Sequence, residues 1–371
     1  MKVTQVLCAA GPVDAVTNQA LACRALFRRW GWTGEDFAPV LAQDMPRGAI
    51  RPLHELRPAS AEPLVLHYSG YALGLERLLS AHSRTLLISH NITPPQYFWS
   101  SDPVEAVRSQ LAHGQLAALA GQVAALAGVS DYNAAQLRSM SGRSAEVIPV
   151  LFDRRALGAP GTRGAPGTPG TPGPRLTGGD AEGSGPRRPG PPMVLFVGRL
   201  VPHKRQDLVI RAFARYRQAE PEARLTLVGV PLSPDYGVSL TRLADELAPG
   251  AVSFETGLPP VDLWERYRSA DVFLCLSEHE GFCIPLLEAF HFRVPVIARA
   301  AGAVGEVVGD AGVLVDASDQ VATVAELLRI VVGDPELRAE LAARGQGRLA
   351  EYDYDRVAER LRGAVTELSA A

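Results

Sequence analysis

Short apolar runs alternate along the chain with longer stretches in which apolar residues recur at helical spacing. Before residue 158 the runs are 3–9, 64–67, 85–89 and 145–150, with helical patterns near 18–30 and through 103–126. After residue 192 they are 193–197, 224–228, 252–254, 271–276 and 294–298, with helices over 206–218 and from Pro285 onward. Continuous apolar strands between amphipathic helices predict parallel sheets covered on both faces. Two such sets predict a two-domain, doubly wound α/β protein. The first domain is expected over 1–153, a linker over 154–192 and the second domain over 193–371, with the last helix packing back on the first domain. Ligands in this architecture bind outside the carboxyl ends of strands, so the site is expected in the cleft between domains.

The stretch 158–192 is dominated by Gly, Pro, Thr and Arg. With almost nothing to bury it cannot offset the entropy of ordering itself, and it reads as a disordered interdomain linker. A proline-rich recognition element is the alternative.

Composition narrows the class. At 371 residues the chain exceeds what one hydrophobic core usually supports. A net charge of −3 gives no electrostatic reason to expect nucleic-acid binding. Cys8, Cys23, Cys275 and Cys283 form no CxxC pair, so neither a zinc site nor a disulfide framework is expected, and a reducing cytoplasm fits. The first residues break their apolar run with Thr4 and Gln5 and read as a strand rather than a signal peptide. No apolar run approaches the roughly 18 residues of a membrane span, so the protein is expected to be soluble, or peripheral at the inner membrane face. Arg24, Arg28, Arg29, Trp30 and Trp32 mix cations and aromatics as an interfacial helix does. Leu21, Ala25 and Leu26 suit the competing reading, a helix packed on its sheet.

Two segments carry chemistry. In Ser277-Glu278-His279-Glu280-Gly281-Phe282-Cys283-Ile284-Pro285-Leu286-Leu287-Glu288 a buried strand runs into a loop and then a helix. Gly281 permits close backbone approach, and the N–H groups of Phe282, Cys283 and Ile284 at the helix entrance suit a diphosphate. Glu288 lies within reach of sugar hydroxyls beyond it. Spacing alone leaves a second reading open, in which Glu280 and Glu288 merely complement the dipole of a surface helix. The other segment, Gly198-Arg199-Leu200-Val201-Pro202-His203-Lys204-Arg205, places two cations after a strand, where Arg199 and Lys204 can neutralise a leaving diphosphate without a metal. A solvated basic turn is its plainer explanation. A dinucleotide-dependent oxidoreductase would need G-x-G-x-x-G after an early strand, and Ala9-Ala10-Gly11-Pro12-Val13-Asp14 does not supply it.

Together these segments resemble the family 4 glycosyltransferases of the GT-B fold. GRLVPHKRQD resembles that family's G-R-x-x-x-x-K loop, and EGFCIPLLE its E-x7-E element. His90-Asn91-Ile92-Thr93-Pro94 is similar to an HN(I)TP segment of one bacterial branch, and Gly11 to Asn18 to the loop bordering acceptor and donor sugar. The family's loop often has Gly where Cys283 stands, and many members have Gly-Gly where this chain has Gly11-Pro12. The resemblance implies a retaining, metal-independent hexosyltransferase (EC 2.4) with no cofactor beyond its nucleotide-sugar donor and with a sugar, lipid or small-molecule acceptor. It implies that Arg199 and Lys204 hold the diphosphate, with Gly198 beside them, and that Glu288 holds the ribose. Glu280 with Gly281, Phe282, Cys283 and Ile284 would orient the donor, His90 would contact the sugar, and Gly11, Asp14 and Asn18 would border it. A catalytically silent, nucleotide-binding partner protein of the same fold is the alternative.

Overall fold

The computed structural model describes residues 1–12, 14–46, 48–57, 62–158, 190–318 and 320–370. The chain divides into two compact units. The first comprises Met1–Phe152, His279–Phe282 and Tyr352–Ala371, and the second Asp153–Glu278 with Cys283–Glu351. Of the linker expected over 154–192, residues 159–189 lie outside the described residues, as does Val13 of the first loop. The short segment His279–Phe282, read in the sequence as part of one loop with its neighbours, clusters with the first unit.

In the first unit a parallel sheet is built from β1 (Thr4–Leu7), β2 (Asp36–Ala38), β3 (Arg51–Pro52), β4 (Leu64–Tyr68), β5 (Thr85–Ser89), β6 (Ala125–Gly128) and β7 (Glu146–Val147). Their order across the sheet is β3-β2-β1-β4-β5-β6-β7. Every residue of β1, β4 and β5 is buried, as covering on both faces requires. The helices are α1 (Ala15–Arg29), α2 (Leu75–Ser80), α3 (Pro103–Ala120), α4 (Asp131–Ser141) and α12 (Tyr354–Ala370), the last packing against β5.

The pattern read as one helix through 103–126 is two elements. Asp102 caps α3 at the start, and the helix ends at Ala120 before a turn at Gly121 and Gln122. β6 follows, an Ala- and Leu-rich run with no β-branched residue, so periodicity alone could not separate it from helix. The basic-aromatic set on α1 also loses a member, because Arg24 is buried in an ion pair with Asp36 at 2.7 Å. Trp30 and Trp32 are half-buried and pack on Phe27 and on each other. No helix among the described residues is long and apolar enough to cross a membrane.

The second unit repeats the plan with β8 (Met193–Val197), α5 (Gln206–Arg217), β9 (Arg224–Val228), α6 (Pro234–Leu247), β10 (Val252–Glu255), α7 (Pro260–Ser269), β11 (Val272–Cys275), α8 (Ile284–His291), β12 (Val296–Arg299), α9 (Val304–Val308), β13 (Val313–Val315), α10 (Val321–Gly333) and α11 (Pro335–Arg348). Its order is β10-β9-β8-β11-β12-β13. In both sheets the chain winds outward in one direction and then returns to the middle, so the order reverses beside the first strand. The reversal lies between β1 and β4 in one unit and between β8 and β11 in the other. Loops leaving the carboxyl ends of such a strand pair border a crevice where ligands bind.

Candidate active site

The loops that flank the second unit's reversal are the two singled out from the sequence. After β8 the chain passes Gly198 and Arg199 and makes a tight turn over Pro202–Lys204. Arg199 is exposed, while its carbonyl is tied back by Gln206 Nε2 at 2.9 Å. The Lys204 stem lies over Gly198, so that a Cβ on Gly198 would meet Lys204 Cδ at 3.6 Å. Gly229, at the end of β9, makes this bend possible. With φ +156° it sits where a Cβ would fall 1.9 Å from the Gly198 carbonyl oxygen. Gly229→Ala is therefore expected to destabilise the protein by about 3 kcal/mol, the top of the ordinary range for point substitutions, measured by chemical denaturation.

The β8 turn is locked by charges that sequence spacing did not single out. Arg205, in left-handed conformation at φ +51°, pairs with Asp207 at 3.0 Å and also with Glu278. Glu278 takes a second cation, Arg299 from the end of β12, at 3.2 Å, and its N–H donates to the His203 carbonyl at 2.7 Å. Glu278 thus joins the loops after β8 and β11. Two cations from distant parts of the sequence converge on it, which no local motif could announce.

Helix α8 begins at Ile284, one residue before Pro285, and Cys283 caps it in left-handed conformation at φ +74°. A non-glycine residue there costs about 1–2 kcal/mol, which accounts for glycine being the usual residue in the resembled loop. Glu288 lies one turn in. Its Oε2 accepts from the Tyr267 hydroxyl at 2.6 Å, from the end of α7. Burial pushes the Glu288 carboxyl above the usual carboxylate range, and the Tyr267 hydrogen bond opposes that rise. Tyr267→Phe removes the opposing contact, so Glu288 should hold its proton to higher pH. Ligand binding that needs the carboxylate is then expected to fail at a higher pH in the variant, as a binding titration across pH 4–8 would show.

The remaining candidates belong to the first unit. His90 directly follows β5, and its N–H donates to the Tyr68 carbonyl at 2.8 Å. Burial lowers its pKa to about 4, so the ring is neutral at physiological pH. Asn91, at φ +78°, pairs with His279 Nε2 through its side-chain amide at 2.9 Å. A Cβ on Gly281 would strike Asn91 Cβ at 2.2 Å, so packing by itself excludes a side chain there. The Gly281 carbonyl accepts from Ser130 Oγ at 2.9 Å and Asn133 Nδ2 at 2.7 Å. Glu280 is buried, and Phe282 packs edge-on against Tyr352.

Asp14 is occupied as the cap of α1, accepting from the Thr17 N–H at 2.7 Å and hydroxyl at 2.8 Å. Gly11 donates its N–H to the same Thr17 hydroxyl at 3.1 Å, and Asn18 is exposed on the first turn. Capping accounts for Asp14 without a ligand. The sites thus fall into two sets: Gly198, Arg199, Lys204, Cys283, Ile284 and Glu288 in the second unit, and Gly11, Asp14, Asn18, His90, Glu280, Gly281 and Phe282 in the first.

Comparison with known proteins places this geometry in context. Residues 181–348, somewhat less than half of the chain, match the family described as glycosyl transferases group 1. The two Rossmann-like α/β units give the fold class, GT-B. Over 181 residues the chain is 34% identical to a D-inositol 3-phosphate glycosyltransferase of Acidothermus cellulolyticus, covering 46% of this chain and 40% of that protein. Over 179 residues it is 35% identical to a GDP-mannose-dependent monoacylated alpha-(1-6)-phosphatidylinositol monomannoside mannosyltransferase of Corynebacterium glutamicum, covering 46% of each. The matches therefore span less than half the length of these relatives. In fold the chain resembles HepE of Anabaena, solved in complex with UDP and glucose, with a TM-score of 0.72 at 16% identity over 98% of this chain and 99% of that one.

Proposed function

We propose that this protein is a retaining glycosyltransferase that moves a hexose-type sugar from a nucleoside-diphosphate sugar to a sugar, lipid or small-molecule acceptor. One observation carries the reading. The loops flanking the second unit's strand reversal bring a lysine folded over Gly198 and, on α8, a half-buried glutamate held by Tyr267. A cation at one strand end and a carboxylate on the helix after its neighbour suit the two ends of a nucleoside diphosphate. The 34–35% identity to two glycosyltransferases supports the same reaction class.

In this reading Lys204 and Arg199 balance the charge that builds on the diphosphate as the glycosidic bond breaks, and no metal is needed for that step. Glu288 accepts from the ribose hydroxyls, its other oxygen being held by Tyr267. Glu280 and the backbone of Gly281 to Ile284 orient the donor, and neutral His90 meets the sugar. The departing phosphate takes the acceptor's proton on the face it leaves, which retains configuration without a hydrolase-type carboxylate pair.

UDP, GDP and ADP sugars should be screened by thermal shift. One base class is expected to raise the melting temperature, by a stabilisation of about 2.7 kcal/mol at one hundred times its Kd. No shift with any of them at millimolar concentration would remove the donor assignment.

A further inference from the structure

A chain of hydrogen bonds crosses the first unit from His90 to a buried ion pair. His90 Nε2 lies 3.0 Å from His67 Nδ1, and His67 Nε2 lies 2.9 Å from Gln5 Oε1. Gln5 Nε2 donates to Asp36 Oδ1 at 2.7 Å and to the Ala20 carbonyl at 3.0 Å. Asp36 Oδ1 also accepts from Arg24 Nε at 3.0 Å and Arg24 Nη2 at 2.7 Å. Gln5 and His67 are fully buried, and each is a polar residue within a wholly buried strand.

The direction of every donor in this chain follows from its far end. Asp36 paired to Arg24 is an acceptor, and so is the Ala20 carbonyl. The Gln5 amide must turn its nitrogen toward both, which leaves Oε1 facing His67. His67 must then carry its proton on Nε2. Burial first, and then the nearby His90 and Arg24, keeps the His67 pKa well below its ordinary value, so its Nδ1 carries a lone pair. That lone pair accepts from His90, whose proton is thereby fixed on Nε2. Reversing any one bond would set two acceptors or two donors against each other inside a buried network.

We propose that Gln5 and His67 are positioning residues that hold His90 in the Nε2–H tautomer, so that its Nδ1 presents a lone pair to a hydroxyl of the substrate. His90 itself is partly exposed. The structure thus assigns it as a hydrogen-bond acceptor rather than a donor or a cation. The substrate contact rests on the glycosyltransferase reading, whereas the tautomer does not.

Long-range proton–nitrogen NMR of the imidazole rings in the unliganded protein at pH 7 tests the tautomer without any turnover. His90 should show a protonated Nε2 and an unprotonated Nδ1, and the opposite pattern overturns the proposal. His67→Asn keeps an acceptor near the former Nδ1, whereas His67→Leu removes it. The Asn variant is expected to retain the wild-type His90 tautomer and kcat/KM. The Leu variant should show mixed tautomers and lose kcat/KM by roughly 10-fold, as when an outer partner of a functional histidine is deleted. If His67→Leu folds and keeps both the tautomer and full kcat/KM, the positioning role is wrong. If His90→Ala keeps full activity while the tautomer is as described, the fault lies with the site assignment instead.

Discussion

Lys204→Ala is expected to lower kcat/KM for glycosyl transfer by about 10²–10³-fold while leaving the melting temperature unchanged. Lys204 is only partly buried, and no core cluster of its unit includes it, so truncation leaves no cavity. Its stem rests on Gly198, which already lacks a side chain. What the alanine removes is a charge at the carboxyl end of β8. In a site screened from water such a charge contributes most when the diphosphate departs, so kcat should fall more than KM rises. Lys204→Arg should recover part of the loss, because it restores charge but not the compact ammonium. Steady-state kinetics with circular dichroism melts on all three proteins would check this.

Asp36→Ala is expected to have the largest effect on stability, about 3–5 kcal/mol. Arg24 and Asp36 are almost fully buried, with side chains only 4% and 2% exposed. Removing Asp36 strands the guanidinium without its counter-charge, and Gln5 loses the acceptor that orients its amide. Arg24 would keep its bonds to the Val3 and Glu35 carbonyls, at 2.9 and 3.1 Å, which soften the loss but cannot balance the charge. Urea denaturation would measure the change, and a shift within 0.5 kcal/mol of zero would mean that the pair contributes little.

How far the sequence leads depends on how local each feature is. β5, β8 and β9 can be read to the residue because each is a short, mainly apolar run bounded by polar turns. β2, β3 and β13, two or three residues long, leave no such trace. Arg199, Lys204 and Glu288 are legible because charged residues recur at the ends of two strong strands. Tyr267 and Glu278 are not, since their roles arise only when α7 meets α8 and when β11 lies beside β8. The relay behind His90 joins residues 62 and 31 positions apart through strand register. Its one trace in the sequence is a glutamine and a histidine inside strands that should be wholly apolar. Gly281 shows the converse, since a glycine expected to admit a ligand also has a packing reason in Asn91.

Glycosyl transfer is tested most directly by incubating the purified chain with its stabilising nucleotide sugar and candidate acceptors and measuring free nucleoside diphosphate. Donor-dependent release is expected, with an anomer of unchanged configuration in the product and with release abolished in Lys204→Ala. Tight nucleotide binding without release, across all donors and acceptors, would contradict the transferase reading and leave a nucleotide-binding partner protein in its place.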